Sequence, residues 1–453
     1  MLSPQDNALL TQAGPGTPGG GVIRHYWIPV FISSELPGPD CPPLRVRLLG
    51  EDLIAFRDSS GHVGVLSDHC PHRGASLFFG RSEEEGLRCV YHGWKFDRSG
   101  ACVDMPNEPP ESNFKHKIRH TAYPCRERNG VVWTYMGDRS LSLSKGELPD
   151  LPEMEWNLVS TDQCYVSKRV QNCNWFQALE GAIDGSHSNF LHSALADHPG
   201  IGGAKNAQDP RRAADPAVQD RHPVFETLET DAGVLVTARR AAKGGYLWRV
   251  NHYLMPFYTT RPPRNQDQPA SGHIWVPIDD EKTIVFQWTY HPTRALTESE
   301  LDRMMHGVDG QDGFDPSLQN LLPPTSQPFG AWRPKQSREN DYSLDYEAQK
   351  SVRFSGIPGG WAQDAALQEA MGVIYNRSRE HLGTSDLGII AARRYFMKAA
   401  RAYQESGAPP PSYNNPRAWS VRSAAAILPT DADWVEALKD RLMVRPGEAF
   451  TLV

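Results

Sequence analysis

The first third of the chain alternates hydrophobic and polar residues in short runs that are separated by turn signals. In residues 45–66, RVRLLGEDLIAFRDSSGHVGVL, the alternation is interrupted at Gly50–Glu51 and again at Ser60–Gly61, which is typical of consecutive β-hairpins. Another hairpin is expected around Ser99–Gly100, and GVVWTYMG is typical of a closing strand. We therefore predict a small all-β domain, with an N-terminal segment, over residues 1–137.

The rest of the chain, residues 138–453, has a different pattern that opens with the Pro- and acid-rich boundary segment GELPDLPEMEW. A helix is predicted over 174–191, long strands follow it, and helical periodicity returns from Asp364. This order predicts an α+β domain in which helices cover an antiparallel sheet. Segments 196–224 and 306–346 lack periodicity and are predicted to be lids or disordered loops. The predicted strands are GVLVTARRA, GYLWRVNHYLMPFYTT, GHIWVPI and KTIVFQWTYHP, and the late helices are DAALQEAMGVIYNRSREHL, DLGIIAARRYFMKAARAYQ and Trp434–Leu442.

Composition narrows the classes of function. The 453 residues are enough for two domains, and a net charge of −7 offers no basic footprint for nucleic acid. The apolar runs are too short to span a bilayer, and the start MLSPQDNALLTQAG lacks the charged and apolar regions of a signal peptide. We therefore expect a cytoplasmic protein without nucleic-acid or membrane partners.

Two mixed pairs of cysteine and histidine stand out in CPHRGASLFFGRSEEEGLRCVYHGW: Cys70 with His72, and Cys89 with His92. Two thiolates and two imidazoles are the ligands of a Rieske [2Fe-2S] cluster, in which histidines replace cysteines on one iron. Zinc is the alternative, but zinc sites usually keep two cysteines together in a C-x2-C spacing. A glycine shortly after each pair would let backbone amides approach the cluster sulfurs, which favours the Rieske interpretation.

His187 and His192, in NWFQALEGAIDGSHSNFLH, are candidates for a second metal site. Non-haem Fe(II) oxygenases hold iron on two histidines and one carboxylate and leave positions open for dioxygen and substrate. His192 lies about 140° from His187 around a regular helix, so the helix must end or distort before His192. Asp184 is either a ligand or a partner of a ligand. The alternative is an amphipathic helix whose histidines lie at its solvent edge.

Together these motifs resemble the oxygenase component of the Rieske non-haem iron oxygenases, and the resemblance covers nearly the whole chain. More narrowly, the chain looks like the phthalate 4,5-dioxygenase branch, whose relatives include dioxygenases of other benzoates and some aromatic O-demethylases. The segments that carry the resemblance are LLTQAGPGTPGGGVIRHYWIPV, VRLLGEDLIAFRDSSG, HRGASLFFGR, GLRCVYHGWKFD, CVDMPNEPPESNFKHKI, AYPCRERNGVVWTYMG and QDAALQEAMGVIYNRSREHLGTSD. The fold that it implies for the second domain is helix-grip-like.

The resemblance implies roles for two aspartates. Asp364, in WAQDAALQEAMG, matches the third iron ligand, although from the residues alone it is only an acidic side chain in the first turn of a helix. Asp184 matches the residue that links an iron-ligand histidine to a cluster histidine, here His92, of the neighbouring subunit. Many relatives have an asparagine near the iron three residues before this aspartate, whereas this chain has Gly181.

The implied function is that of a terminal oxygenase with a Rieske cluster and a mononuclear Fe(II). An NAD(P)H-dependent reductase, with a flavin and its own iron–sulfur centre, supplies electrons singly, and both atoms of O2 are added to an aromatic carboxylate such as a phthalate or a substituted benzoate. Since one subunit's cluster serves its neighbour's iron, a homotrimer or a stacked hexamer is implied. The alternatives are a Rieske O-demethylase or monooxygenase of methoxylated aromatics and, in another class, an electron-transfer Rieske protein.

Arginines near the iron are candidates for binding the substrate, because a guanidinium matches a carboxylate bidentately. Arg249 lies in the middle of GYLWRVNHYLMPFY, a strand expected to line the interior, where an unpaired charge is costly. Arg211 and Arg212 follow the predicted iron helix in a loop. The alternatives are that Arg249 pairs with a structural acid or points to solvent, and that the other two are solvated.

Overall fold

The computed structural model describes residues 1–137, 148–198, 215–263, 265–306 and 320–450. Its first region consists of two short helices followed by strands in small antiparallel sheets. The bounds are α1 Pro4–Thr11, α2 Pro18–Arg24, β1 Trp27–Ile32, β2 Leu44–Leu48, β3 Glu51–Arg57, β4 Val63–Ser67, β5 Arg81–Glu83, β6 Gly86–Arg88, β7 Lys95–Phe96, β8 Cys102–Asp104, β9 Ala122–Tyr123, β10 Cys125–Arg128 and β11 Val131–Tyr135. The strand orders are β1-β11-β10, β2-β3-β4-β9 and β5-β6-β7-β8.

The hairpins fall where the turn signals predict them. Leu49 and Gly50 join β2 to β3 with φ angles of +47° and +80°, and two positive φ angles match the right-handed twist of the flanking strands. β7 and β8 are joined through Gly100, which has a φ of +81° and leaves no room for a side chain beside the His120 carbonyl. The expected all-β character of this region is confirmed.

The second region is a large antiparallel sheet with helices. The bounds are β12 Cys164–Gln171, α3 Trp175–Ile183, α4 Pro216–Gln219, β13 Val224–Thr230, β14 Gly233–Ala242, β15 Gly245–Leu254, β16 Tyr258–Arg261, β17 Ala270–Pro277, β18 Thr283–Tyr290, α5 Glu298–His306, α6 Tyr346–Ser351, α7 Gly360–Ala370, α8 Leu387–Ser406, β19 Ala424–Leu428 and α9 Trp434–Leu438. The strand order is β12-β18-β17-β16-β15-β14-β13, and β19 pairs with β15. The predicted α+β class is confirmed. Within the described ranges, no helix has the length and apolarity that crossing a bilayer requires.

The helices α3, α7 and α8 cover one face of this sheet. Phe176 of α3 packs against Tyr253 of β15, with ring centroids 6.3 Å apart. Gln171, at the end of β12, donates a hydrogen bond to Oε1 of Gln368 in α7 at 2.5 Å. Because side chains alternate along a strand, every second residue in each of the strands β12 to β18 points to this helix-facing side. The site described below lies between this face and the helices.

Two predicted elements are shorter than the sequence pattern indicates. The helix predicted over 364–382 ends at Ala370, because the chain beyond it bonds to α3: the Tyr375 N–H donates to the Gln177 side chain at 2.8 Å. The long strand predicted across Pro256 is split into β15 and β16, since proline has no N–H for the ladder. A tertiary contact therefore overrides local periodicity at the end of α7, whereas the residue type itself ends the strand at Pro256.

The N-terminal helices pack against the second region. The Ala13 N–H donates to Asp280 Oδ1 at 2.8 Å, and Asn174 Nδ2 at the start of α3 donates to the Thr11 carbonyl at 2.9 Å. The predicted domain boundary adjoins residues 138–147, which lie outside the described residues. The division into 1–137 and 138–453 stays a prediction.

Glu180 is a buried charge that fixes α3 to its neighbours. Its carboxylate lies 2.6 Å from Arg393 and 3.1 Å from Arg377, and all three side chains are buried. Burial acts to raise the pKa of Glu180, but the two guanidinium groups outweigh it and hold that pKa below its usual value. The carboxylate is therefore charged in the folded chain, and its loss would leave buried Arg377 without its carboxylate partner, whereas Arg393 would keep Glu380.

We expect Glu180→Gln to lower the free energy of unfolding by about 3–5 kcal/mol, because removing one partner of a buried ion pair leaves uncompensated charge. Urea unfolding followed by circular dichroism measures the change. The control is Glu347→Gln, which removes an exposed ion pair with Lys350 and should leave the midpoint unchanged. Equal midpoints for the two variants would contradict the anchoring role.

Candidate metal centres

The loops that carry the two Cys–His pairs have matching backbone hydrogen bonds. The Cys70 carbonyl accepts from the Gly74 N–H at 2.8 Å, and the Cys89 carbonyl accepts from the Gly93 N–H at 3.0 Å. Both glycines have positive φ angles, +77° and +80°, and a Cβ at Gly93 would come within 2.6 Å of Pro106. Glycine at these positions lets each loop turn back on itself and present its cysteine and histidine together.

The four side chains of these loops fit a Rieske cluster. The His72 and His92 rings lie 4.4 Å apart by centroid, His72 stacks on Trp94, and Nδ1 of His72 is buried without a hydrogen-bond partner. Cys70 and Cys89 are buried. Burial raises the pKa of Cys70 to about 11, so this thiol needs the positive charge of a metal to ionise at neutral pH. The buried ring nitrogen and paired thiols could hold a [2Fe-2S] cluster.

A second cluster of donors forms where α3 ends. The helix stops at Ile183, Asp184 caps it with an extended backbone, and the chain continues in a 3-10 turn at His187–Asn189. The expectation that the helix ends before His192 is confirmed, although its predicted extent to Leu191 is wrong. The break brings the Nε2 atoms of His187 and His192 to 3.1 Å from each other.

Asp364 of α7 lies against both histidines. Its Oδ1 is 3.4 Å from Nε2 of His187 and 3.3 Å from Nε2 of His192. Burial acts to raise the pKa of Asp364, but the two histidines and Arg261 outweigh it, and that pKa falls below its usual value. Two imidazoles and an ionised carboxylate that converge within 4.8 Å could hold a mononuclear Fe(II) with open positions.

Asp184 lies behind His187, on the side away from Asp364. Its Oδ2 is 3.5 Å from Nδ1 of His187, and its Oδ1 accepts from the Ser186 N–H at 2.7 Å. Burial acts to raise the pKa of Asp184, but His187 and the Ser186 N–H outweigh it and lower that pKa. A carboxylate at Nδ1 keeps the ring proton there and leaves Nε2 for a metal. The Asp184 side chain is 22% exposed.

The helix-facing side of the sheet is polar close to these ligands. Both ring nitrogens of His273, Nε of Arg261 and Oγ of Ser167 are buried without hydrogen-bond partners. Burial, and then the charges of Arg261 and Arg169, lower the pKa of His273 well below its usual value. Arg169 lies 5.3 Å from the ring of Trp361, one turn before Asp364 in α7. Unsatisfied buried polar groups beside a donor cluster indicate a ligand with matching polar atoms.

The three predicted substrate arginines have different outcomes. Arg249 lies on β15 and is half-buried. Its cross-strand partner on β14 is Ala238, and Ala238 lies beside Gly185, the residue that follows Asp184. Arg249 is therefore on the helix-facing side of the sheet. Arg211 and Arg212 lie outside the described residues.

Some polar residues of this region were not singled out from the sequence. His273 alternates with Trp275 in GHIWVPI, so period-two analysis could have found it on the inner face. Arg261 and Gln363 have no comparable signal in their spacing. At Gly181 a Cβ would collide with Nε2 of Gln368, so a side chain there would have to displace the carboxamide of this α7 residue.

Comparisons with known proteins identify families that the chain matches. Residues 26–123 match the Rieske [2Fe-2S] domain family, and residues 134–445 match the family described as LigXa C-terminal domain like. The chain is 38% identical over 445 residues to the 3-chlorobenzoate-3,4-dioxygenase oxygenase subunit of Comamonas testosteroni, covering 98% of this chain and 99% of the relative. It is 35% identical to the phthalate 4,5-dioxygenase oxygenase subunit of Pseudomonas putida, covering 96% and 94%. The crystal structure of dicamba monooxygenase bound to dicamba shares the fold, with a TM-score of 0.54, 18% identity and coverage of 84% and 99%.

We expect about three irons per wild-type chain, and we expect that a ligand substitution in one centre removes the iron of that centre only. Asp364→Ala removes one ligand of the second site and should leave about two irons with the cluster spectrum intact, whereas Cys89→Ser should leave about one. Metal analysis and electron paramagnetic resonance of the reduced cluster measure both. Cys173→Ser, at a buried thiol outside both centres, is the control and should retain all the iron. About two irons per wild-type chain would instead support an electron-transfer protein.

Proposed function

The chain belongs to the oxygenase components of the Rieske non-haem iron oxygenases, and we propose that it adds both atoms of O2 to a phthalate-like or substituted benzoate. Members of this family carry a [2Fe-2S] cluster and a mononuclear iron, and the chain is an oxidoreductase of this kind. The substrate proposal rests on the helix-facing side of the sheet beside the His–His–Asp cluster. This side carries arginines and buried polar atoms that have no hydrogen-bond partner. The names of the two relatives above support the same class of substrate.

The residues divide into a relay and a reaction site. Cys70, His72, Cys89 and His92 hold the cluster within residues 1–137, and His187, His192 and Asp364 hold the iron within residues 138–453. When bound, the iron supplies coordination positions at which O2 can react next to the substrate. The protein's own contribution is to fix the donor atoms, keep both ligand imidazoles unprotonated at Nε2 and orient the aromatic ring.

We propose that electrons come from a separate NAD(P)H-dependent reductase with a flavin and an iron–sulfur centre, and that the protein acts in the cytoplasm. They enter the chain at the cluster. Val90 and Tyr91, each 57% exposed, directly precede His92 at the tip of the second Cys–His loop and offer an apolar contact surface. A second copy of the chain is the proposed occupant, in a homotrimer or a stacked hexamer, with Asp184 joining its His187 to the neighbour's cluster.

The substrate carboxylate is bound by the helix-facing side of the sheet. Arg249 supplies a bidentate fork, and Arg261 and His273 lie on the same side of neighbouring strands. Burial and the adjacent cations disfavour a proton on His273, so it recognises polar atoms as a neutral imidazole. Apolar walls around these groups, such as Trp361, suit an aromatic ring. Arg211 and Arg212 are further candidates for a second carboxylate.

Product analysis tests this function directly. The holoenzyme, with a competent reductase and NADH, is offered phthalate, isophthalate, chlorobenzoates and methoxybenzoates. Formation of cis-diols from the carboxylates supports the proposal. Formaldehyde from methoxybenzoates without ring oxidation would support an O-demethylase instead, and oxidation of none of these compounds would refute the aromatic-carboxylate proposal.

Arg249→Ala should lower kcat/KM for the preferred carboxylate by about 10- to 100-fold, because it removes a charge-assisted hydrogen bond. The effect on a neutral analogue such as the methyl ester should stay below about threefold. Arg239→Ala is the matched control, since Arg239 lies on the neighbouring strand but on the opposite side of the sheet. Equal losses for acid and ester would remove the assigned role from Arg249.

Mixed oligomers test the path between subunits. Cys89→Ser chains lack the cluster and Asp364→Ala chains lack the iron, so each variant alone should be inactive. Co-expressed in equal amounts, they should regain about a quarter of the wild-type rate, because a quarter of the junctions in a ring then join a working cluster to a working iron. Tagged co-purification followed by turnover measures this. No recovery in confirmed mixed oligomers would indicate transfer within one chain.

A further inference from the structure

Gln363 is a buried carboxamide next to both His192 and Asp364. It lies in the first turn of α7, directly before Asp364, and is 7% exposed. Its Oε1 is 2.6 Å from Nδ1 of His192, and its Nε2 donates to the Ile357 carbonyl at 2.8 Å. We infer that Gln363 is a positioning residue that holds the His192 ring and its tautomer for the metal. The inference deepens the proposed function and rests on its iron site.

The two hydrogen bonds together fix which way the carboxamide faces. The Ile357 carbonyl only accepts, so the NH2 group of Gln363 must point to it. The carboxamide oxygen then points to His192, and because this oxygen only accepts, Nδ1 of His192 must carry the ring proton. In the neutral imidazole this tautomer leaves Nε2 without a proton, and Nε2 is the atom that faces Asp364 at 3.3 Å. A neutral imidazole with a free Nε2 is the form that binds a metal.

The two candidate ligand histidines consequently have unlike outer partners. His187 has the carboxylate of Asp184 at its Nδ1, whereas His192 has the neutral carboxamide of Gln363. A neutral acceptor orients the ring without adding negative charge to a site that already contains Asp364. One turn of α7 therefore contributes both the carboxylate donor and the group that aims the neighbouring imidazole.

The experiment compares metal binding in variants from which the mononuclear metal has been removed while the cluster is kept. Co(II) is the probe, because its d–d absorption reports the coordination of the site and its titration gives a dissociation constant. Gln363→Met keeps the length of the side chain but removes the acceptor. We expect it to weaken Co(II) binding about 10- to 100-fold and to alter the d–d spectrum, with the cluster spectrum unchanged.

Two further variants separate positioning from general stability. Gln363→Glu keeps an oxygen acceptor for the Nδ1 proton but gives up the donor to Ile357 and adds a charge. We expect it to change Co(II) affinity by no more than about fivefold, less than the Met variant, and this gives a result even if the Met variant fails to fold. Gln349→Met makes the same change at an exposed site on α6 and should bind Co(II) like the wild type. Wild-type affinity and spectrum in Gln363→Met, or Co(II) binding by Gln363→Glu that is weaker than by Gln363→Met, would overturn the inference.

Failure of the proposed iron site itself looks different. In that case the Asp364→Ala variant would bind as much Co(II) as the wild-type chain, or neither would bind any. The inference would then fall together with the site. If the wild type binds Co(II) through Asp364 and Gln363→Met binds it equally well, the iron site stands and only the role of Gln363 is lost.

Discussion

The end of α3 is the constraint on which the arrangement of the donor cluster depends. The Asp184 carboxylate accepts a hydrogen bond from the Ser186 N–H. This local side-chain bond competes with the backbone bond that would continue the helix. Gly185 then passes so close to the sheet that a Cβ would lie 3.1 Å from Phe225, and its carbonyl accepts from Arg240 at 2.9 Å. In a continuous helix the two histidines would point in different directions. Because the helix ends here, both reach Asp364.

Buried ion pairs hold the surroundings of this break in place. Glu180 joins α3 to Arg377 and Arg393, and Lys168 of β12 meets Glu35 of the first region at 2.5 Å. Burial lowers the pKa of Lys168 against the opposing effect of Glu35. Removing one member of such a pair is strongly destabilising, whereas replacing the whole pair by apolar side chains is often neutral or stabilising, so the main effect of the pairs is on geometry. The first region and the sheet are thereby held in one orientation within the chain.

The sequence predicted most of what depends on local pattern and little of what depends on packing. Hairpins in the first region followed from alternation and turn glycines, and the break before His192 followed from the angular spacing of two histidines. The end of α7 at Ala370 did not, because it is decided by a hydrogen bond from Tyr375 to Gln177, nearly two hundred residues away. Asp364 came from family resemblance alone. Gln363 and Arg261 could not be found, since nothing in a single strand or helix shows what faces it across the core.

The polar inner face of the sheet is the clearest sign that the interior is built for a ligand. Each buried polar group without a partner costs about 1–3 kcal/mol, and His273, Arg261 and Ser167 together contain several such atoms. A layer selected only for stability would replace them by hydrophobic residues of similar volume. Beside the His–His–Asp cluster, a polar ligand such as the proposed carboxylate would complete these hydrogen bonds and so offset their cost.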